Sequence, residues 1–147
     1  MRLIPRRLLA IALTVLAGAA TVATANGTSS VVLGSAAFAP HGEGWGTTRP
    51  PKLFNGGDPS GLVTHIHWAS WGGSTAIGYG LNPIFKPGGG YYSHMARIEL
   101  RAHTLGKCSS RGPRAYTQLS FRVPSRPGGP LGPWEPWSGA KSVCKFL

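Results

Sequence analysis

Acidic side chains are scarce in this sequence, which contains only Glu43, Asp58, Glu99 and Glu135. Hydrolysis by a pair of carboxylates requires two acids about 5–10 Å apart, and three of these four acids fall in predicted loops or turns. A nucleophile elbow of the G-x-S-x-G type is also missing, so no motif supports a serine hydrolase. These absences favour a protein without catalytic activity.

Long helices and long apolar runs are missing as well. The chain contains 22 Gly and 13 Pro, two residues that penalise the interior of a helix. Beyond the N-terminal segment, no stretch is apolar enough over the length that a bilayer requires, and no apolar pattern repeats at helical spacing. We therefore predict no transmembrane segment in the mature chain.

The N-terminal segment has the order of a secretory signal. Arg2, Arg6 and Arg7 precede an apolar run at 8–16, and the small-x-small sequence 23–25 follows. A membrane anchor is the alternative, but the small residues at 18–20 dilute its hydrophobicity. We predict a cleaved signal peptide at 1–25 and a single secreted β domain at 26–147, extracellular or associated with the cell wall.

Only two cysteines, Cys108 and Cys144, are present. In an exported protein this pair predicts one disulfide, which the chain-entropy model values at roughly 3–4 kcal/mol. A metal site or a catalytic thiol is the alternative. Neither cysteine belongs to a C-x-x-C pair or lies at ligand spacing from a histidine, so the disulfide is favoured.

Short alternating segments predict strands. Within the predicted strand 95–104, apolar side chains at 96, 98, 100 and 102 alternate with polar ones, so one face should be buried. Further strands are predicted at 30–38, 61–68, 75–80, 115–123 and 142–146. The fold class expected is all-β: a small antiparallel β-sandwich or barrel with long Gly/Pro-rich loops and one disulfide.

The strands 61–68 and 75–80 should form a hairpin through the turn at 71–74. The second of them places Ala76, Gly78 and Gly80 on one face. A row of small residues in a strand indicates close approach of another group. The ring of Trp68 is the favoured occupant, and a bound ligand is the alternative.

The basic excess bears on possible partners. The net charge is +11 and falls to about +8 when the three signal-peptide arginines are removed. Such an excess favours adhesion to polyanions. The basic residues are scattered rather than clustered, and the favoured alternative is that they serve solubility or a weak affinity for the cell wall. If there is a partner, we expect a cell-wall polymer or an extracellular protein and not a nucleic acid.

The Pro- and Gly-rich segment 124–139 is long for a loop without regular structure, and such loops are often functional. It contains Trp134 and Trp137. Exposed aromatic rings stack on sugars or on partner proteins; the alternative is that both rings fold back over a small core. The candidate ligand-binding residues are Trp134, Trp137, Trp71, Tyr91, Tyr92 and Arg126.

His65 and His67 lie two apart on a predicted strand and should point to the same face. With a third ligand they could hold a metal ion, which would give a small secreted hydrolase or metal-dependent enzyme. We weigh this below the ligand-binding interpretation and expect no cofactor. A third alternative is a secreted inhibitor or toxin-like factor that docks its Pro-rich loop into a protein partner.

The segments 55–61, 67–73 and 78–80, together with 127–134 followed by Cys144, resemble small exported proteins of actinobacteria. The resemblance covers most of the mature chain. It implies export and a shared compact domain, and it brings no catalytic residues with it.

Overall fold

In a computed structural model, which describes residues 30–145, most of the regular structure is a sheet of seven strands. The strands are β1 (Val32–Leu33), β2 (Leu53–Phe54), β3 (Leu62–Trp68), β4 (Thr75–Asn82), β5 (Ala96–Lys107), β6 (Arg114–Arg122) and β7 (Glu135–Pro136). Short 3₁₀ turns occur at Ala36–Phe38, Pro59–Gly61 and Trp137–Gly139. The predicted signal peptide, and with it the cleavage site, lies outside the described residues.

The sheet is curled into a half-barrel, with the strand order β1-β6-β5-β4-β3-β2. Strand β6 pairs with β5 along one edge, and its other edge pairs with β1 near its start and with β7 near its end. All pairings are antiparallel except that of β1 with β6. The predicted all-β fold with long Gly/Pro-rich loops is confirmed, with one parallel pair added at the edge.

The hydrophobic core lies on the inner face of the curled sheet. Ala96, Ile98, Leu100 and Ala102 of β5 are all buried, as their alternation predicts. The largest buried side chains come from other strands and from the first 3₁₀ turn; they include Tyr116 of β6, Leu33 of β1, Leu53 of β2 and Phe38 of the turn. The outer face of the sheet is therefore left to the polar partners in the alternation.

The row of small residues in β4 accommodates neighbouring side chains of β3. A Cβ atom at Gly78 would lie 2.8 Å from Cε3 of Trp68, and one at Gly80 would lie 2.5 Å from Cγ1 of Val63. Real Cβ atoms do not approach other heavy atoms so closely. Trp68 thus occupies the space above Gly78, and the predicted hairpin of β3 and β4 is confirmed.

The strand predictions differ most from the structure near the two ends of the described chain. The strand predicted at 30–38 ends at Leu33, because Gly34 has a φ of +56° and the chain then enters a 3₁₀ turn. Residues 142–145 form no strand, and Phe146 lies outside the described residues. Conversely, β7 lies inside the segment 124–139, which the sequence had marked as irregular.

The predicted disulfide is confirmed, since Cys108 and Cys144 are joined. Cys108 follows β5, and Cys144 follows the buried Val143, whose N–H donates to the carbonyl of Thr117 at 2.8 Å. The bridge therefore fastens the C-terminal segment to the end of the β5–β6 hairpin. Within residues 30–145, no helix has the length and apolar character to cross a membrane.

Candidate binding sites

Trp134 lies on the outer face of the sheet, where two arginines contact its ring. The guanidinium carbon of Arg101 is 4.5 Å from the ring centroid and that of Arg122 is 4.9 Å away. At these distances the electron-rich face of the indole attracts the positive charge of each guanidinium group. The indole is half-buried, so part of its surface remains open to solvent.

Strand register explains how these side chains come together. His67 pairs with Tyr79, Tyr79 with Glu99, and Glu99 with Arg122, so four residues on adjacent strands form one row on the outer face. Residues directly opposite each other in a sheet share a face. Glu99 forms an ion pair with Arg122, so the only acid in this row is neutralised.

We name the outer surface formed by Tyr79, Arg97, Arg101, Arg122 and Trp134 the arginine face. Two shallow hollows meet on it, since Tyr79 and Arg97 line both. The first, of about 280 Å³, also contains His65 and His67. The second, of about 410 Å³, extends along the segment 128–131.

Trp137 has a different environment, although only two residues separate it from Trp134. Its ring is 2% exposed and lies 5.3 Å from the ring of Phe121 and 6.1 Å from that of Trp45. Its Nε1–H donates to Oδ1 of Asn55 at 3.1 Å. The alternative in which the ring covers the core therefore applies to Trp137, and its faces are not available for stacking on a ligand.

Trp71 also serves packing in this structure. Its Nε1–H donates to the carbonyl of Val31 at 2.9 Å. Its ring makes edge contacts with Trp68 at 4.6 Å and with Tyr116 at 5.2 Å. The indole fixes the β3–β4 turn against the core, which is the usual role of a ring with a satisfied N–H.

The remaining aromatic candidates lie near the opposite end of the sheet from Trp71. Tyr91 stacks on Phe85 with ring centroids 4.4 Å apart. The N–H of Tyr92 donates to the carbonyl of Ile84 at 3.1 Å. Arg126 is exposed in a tight turn, where its carbonyl accepts a hydrogen bond from the N–H of Gly129. The candidate residues of the sequence analysis are thus divided among several places rather than gathered at one.

A cleft of about 540 Å³ opens where β4 and β6 end and β3 begins. We name it the end cleft. Antiparallel pairing brings these strand ends to the same edge of the sheet. The end cleft is lined by Asn55, Asp58, Ser60, Gly61, Asn82, Pro83, Ile84, Phe85, Phe121, Val123, Pro124, Ser125, Glu135, Trp137 and Ser138.

Asp58 is held in a fixed orientation at the rim of the end cleft. Its Oδ1 accepts from the N–H of Ser60 at 2.8 Å, and the hydroxyl of Tyr91 donates to the same oxygen. Hydrogen bonds from Ser60 and Tyr91 lower the pKa of this carboxyl below its usual value, because they favour its charged form. Desolvation, followed by the bond to Asp58, raises the pKa of the Tyr91 hydroxyl.

His65 and His67 are both exposed and line the same hollow. A β-bulge between Thr64 and His67 shifts the register, and His65 takes a φ of +52°. Bulges re-aim side chains in this way. Within residues 30–145, no three His, Cys, Asp or Glu side chains are grouped so that they could hold a metal ion, so the two imidazoles lack the third protein ligand that zinc sites use.

His103 lies on the outer face and contacts the hydroxyls of Thr104 and Ser120. Burial, followed by the charge of Arg101, lowers the pKa of His103 below 6.5, because both disfavour the imidazolium. The charged form of this imidazole is therefore disfavoured in its surroundings.

A larger hollow, of about 620 Å³, lies beside the disulfide. Lys141 and Lys145 are the charged residues among its lining side chains, and Trp45 is the one aromatic ring. That ring is 4% exposed, so this hollow offers little surface for stacking.

No protein-family model, curated protein or solved structure matches this chain. The assignment of function therefore depends on the arginine face and the end cleft themselves. Sequence reasoning singled out Trp134 but missed Tyr79, Arg97, Arg101 and Arg122 beside it. The alternation in β5 already placed Arg97 and Arg101 on one solvated face and could have indicated them.

Proposed function

We propose that this is a secreted, non-catalytic protein, related to small exported proteins of actinobacteria, that binds an anionic carbohydrate polymer of the cell envelope. The binding surface is the arginine face. The observation that carries the proposal is the position of Trp134 against Arg101 and Arg122, which combines a partly open aromatic ring with two cations on one surface.

The chemistry of this face suits such a polymer. Tyr79 is 40% exposed, and with Trp134 it offers flat rings on which sugars stack. Arg97 is exposed between the two hollows. Guanidinium groups bind carboxylate and phosphate through paired hydrogen bonds.

Charge balance supports the same conclusion. Glu99, whose side chain is 11% exposed, and Arg122 neutralise each other in an ion pair, so Arg97 and Arg101, which have no ion-pair partner among residues 30–145, supply the net positive charge of this face. An extended polymer would meet a surface of one sign, which raises association rates and makes binding sensitive to salt. The disulfide is compatible with the oxidising compartment that the N-terminal sequence predicts.

The test is retention on purified cell wall at low salt. We expect Trp134→Ala and the double variant Arg97→Gln/Arg101→Gln each to weaken retention about ten-fold or more, because each removes stacking or paired contacts. Raising the salt concentration should weaken retention of the unmodified protein in the same direction.

A charge-matched control distinguishes a specific surface from general basicity. Arg111→Gln/Arg114→Gln removes the same two charges from exposed positions near the turn between β5 and β6, far along the sheet from Arg97. We expect near-normal retention of this control. Equal losses in both double variants, or undiminished binding to wall stripped of its anionic polymers, would contradict the proposal.

A further inference from the structure

The end cleft has the opposite charge from the rest of the protein. Two of the four acids, Asp58 and Glu135, line it, and no lysine, arginine or histidine is among its described lining residues. The chain has 15 Lys and Arg against 4 Asp and Glu. An acidic cleft on such a basic chain is the reverse of what composition alone predicts.

The same two acids lack ion-pair partners. Glu43 lies 2.7 Å from Lys52, and Glu99 is paired with Arg122. Within the part of the chain that the structure describes, neither Asp58 nor Glu135 has a cation at ion-pair distance. Their negative charges are therefore available to a ligand in the end cleft.

A third acceptor in the end cleft is fixed in orientation. Asn82 is only 4% exposed, and its Nδ2 donates to the carbonyls of Ser60 at 2.9 Å and Leu62 at 2.6 Å. These two bonds identify which end of the amide is the nitrogen. Among residues 30–145, no donor reaches Oδ1 of Asn82. Every fully buried side-chain oxygen among these residues has a hydrogen-bond partner, so Oδ1 of Asn82 is not fully buried.

The Oδ1 atom of Asn82 must therefore reach solvent through the cleft that this residue lines. An amide oxygen held in this way accepts a hydrogen bond without a further loss of side-chain entropy. Together with the carboxylates of Asp58 and Glu135, it gives the end cleft three groups that can only accept, beside the hydroxyls of Ser60, Ser125 and Ser138, which can donate or accept. A complementary ligand must supply donors and positive charge.

Aromatic side chains line the same opening. Phe85 is 56% exposed and stacks on Tyr91, whose hydroxyl donates to Asp58. The half-buried ring of Phe121 also lines the end cleft. Aromatic faces attract ammonium groups and cover their hydrocarbon parts, so the apolar lining suits an organic cation better than a hydrated metal ion.

We propose that the end cleft binds an organic ammonium compound, a primary amine attached to a small hydrocarbon or sugar skeleton. The ammonium group contacts Asp58 and Glu135 and donates to Oδ1 of Asn82, and the skeleton lies against Phe85. This site is separate from the arginine face, so it stands or fails independently of the proposed function.

The experiment is an NMR titration of backbone amides in the full mature chain. Cadaverine is compared with 1,5-pentanediol, which has the same carbon skeleton and no charge, and glucosamine is compared with N-acetylglucosamine. We expect the charged member of each pair to bind at least about ten-fold tighter than the neutral one. The shifted amides should include those of Ser60, Gly61, Phe85 and Ser138.

Glu135→Gln is the decisive variant, because this exposed side chain makes no hydrogen bond or ion pair within the described residues and its loss should not disturb folding. Glu43→Gln makes the same change at another exposed acid and is the matched control. Asp58→Asn retains an oxygen that can accept from the N–H of Ser60 and serves as the second variant.

We expect the affinity for cadaverine to fall about five-fold or more in Glu135→Gln and in Asp58→Asn, and to stay within about two-fold in Glu43→Gln. Similar affinities for the charged and neutral probes would overturn the proposal. So would an equal loss in Glu43→Gln, or shifts that do not saturate or that map to residues outside the end cleft. Retention on cell wall should be unchanged in Glu135→Gln, which separates this site from the arginine face.

Discussion

The arginine face and the end cleft are built from the same strands but differ in charge, shape and exposure. The arginine face is shallow, basic and solvent-facing, with Trp134 lying against two guanidinium groups. The end cleft is larger than either hollow of the arginine face and has two acids and no cation among its described lining residues. Net charge therefore predicts the sign of the arginine face but not that of the end cleft, where the positions of Asp58 and Glu135 decide it.

Two tryptophans show how small the sequence difference between these regions is. Trp134 and Trp137 flank β7, and the pairing of β7 with β6 holds the segment at the edge of the sheet. One indole then lies over the outer face, and the other enters the core below the end cleft. A two-residue strand thus separates a surface ring from a structural one.

The strongest way to test this contrast is to truncate each indole. We expect Trp137→Ala to lower the free energy of unfolding by about 3–5 kcal/mol, because it leaves a cavity among Phe121 and Trp45. Trp134→Ala removes a half-buried ring and its cation–π contacts, so its cost should stay within about 1 kcal/mol. Urea unfolding monitored by circular dichroism measures both.

The same variants should behave in the opposite order on cell wall, where Trp134→Ala loses retention while remaining folded. If Trp137→Ala costs no more stability than Trp134→Ala, the distinction between the two rings is wrong. Far-ultraviolet circular dichroism of each variant before the binding assay checks that the folded state is being compared.

A smaller loss of stability is expected from glycine substitutions that compare the inner and outer faces of the sheet. Gly78→Ala would place a Cβ 2.8 Å from Cε3 of Trp68, and overpacking of this kind costs about 1–3 kcal/mol. Gly106→Ala in β5 is the control, since its Cβ would lie 3.4 Å from Cγ2 of Thr117. We expect the control to be neutral within about 1 kcal/mol.

Thermal unfolding of both glycine variants provides the measurement. A Gly78→Ala protein as stable as the control would show that the ring of Trp68 moves aside at little cost. The close approach of β3 and β4 would then not be a constraint on the hairpin, and the small residues of β4 would need another explanation.

The smallest effect we predict is the loss of stability when Asp58, at the rim of the end cleft, is protonated at low pH. The pKa of Asp58 lies below 3.8, so its hydrogen bonds contribute to stability above the pKa of the unfolded chain, and this contribution is lost as pH falls through the folded pKa. Carbon-13 NMR titration of the carboxyl group should give the lowered value. In Tyr91→Phe it should rise toward 3.8, and in the control Tyr92→Phe it should not change.

A Tyr91→Phe protein with an unaltered Asp58 titration would show that Ser60 alone orients the carboxylate. On the outer face of the sheet, His103 shows the opposite behaviour, because its environment disfavours its charged form. Burial and the nearby charge of Arg101 lower the pKa of His103, whereas the hydrogen bonds to Asp58 favour the charged form of that carboxyl.

The parts of the fold that were predictable depend on local patterns. Alternation in β5 identified both its buried and its solvated face. The small residues of β4 indicated a close neighbour, and Trp68 is that neighbour. Two cysteines in a chain predicted to be exported were enough to predict the disulfide, which is confirmed. Each of these inferences needs only the sequence of one segment or a simple count.

The parts that were missed depend on pairings between distant segments. Strands β2 and β7 have two residues each, too few for any periodicity, and they exist because β3 and β6 present free edges. The meeting of Asp58 and Glu135 at one cleft requires the curl of the whole sheet. The bulge at His65 shifts the alternation of β3 and could not be read from the sequence around it.

The bridge between Cys108 and Cys144 closes a covalent ring whose ends are 36 positions apart, and this ring contains β6, both indoles and the exposed turn at 126–131. A protease that cuts the chain in this turn therefore releases no fragment. The two pieces stay linked through sulfur and through the pairing of β7 with β6, and such a nicked molecule migrates as one species until a reductant is added. The exposed turn next to the arginine face can thus be cleaved without separating Trp134 from the sheet that positions it.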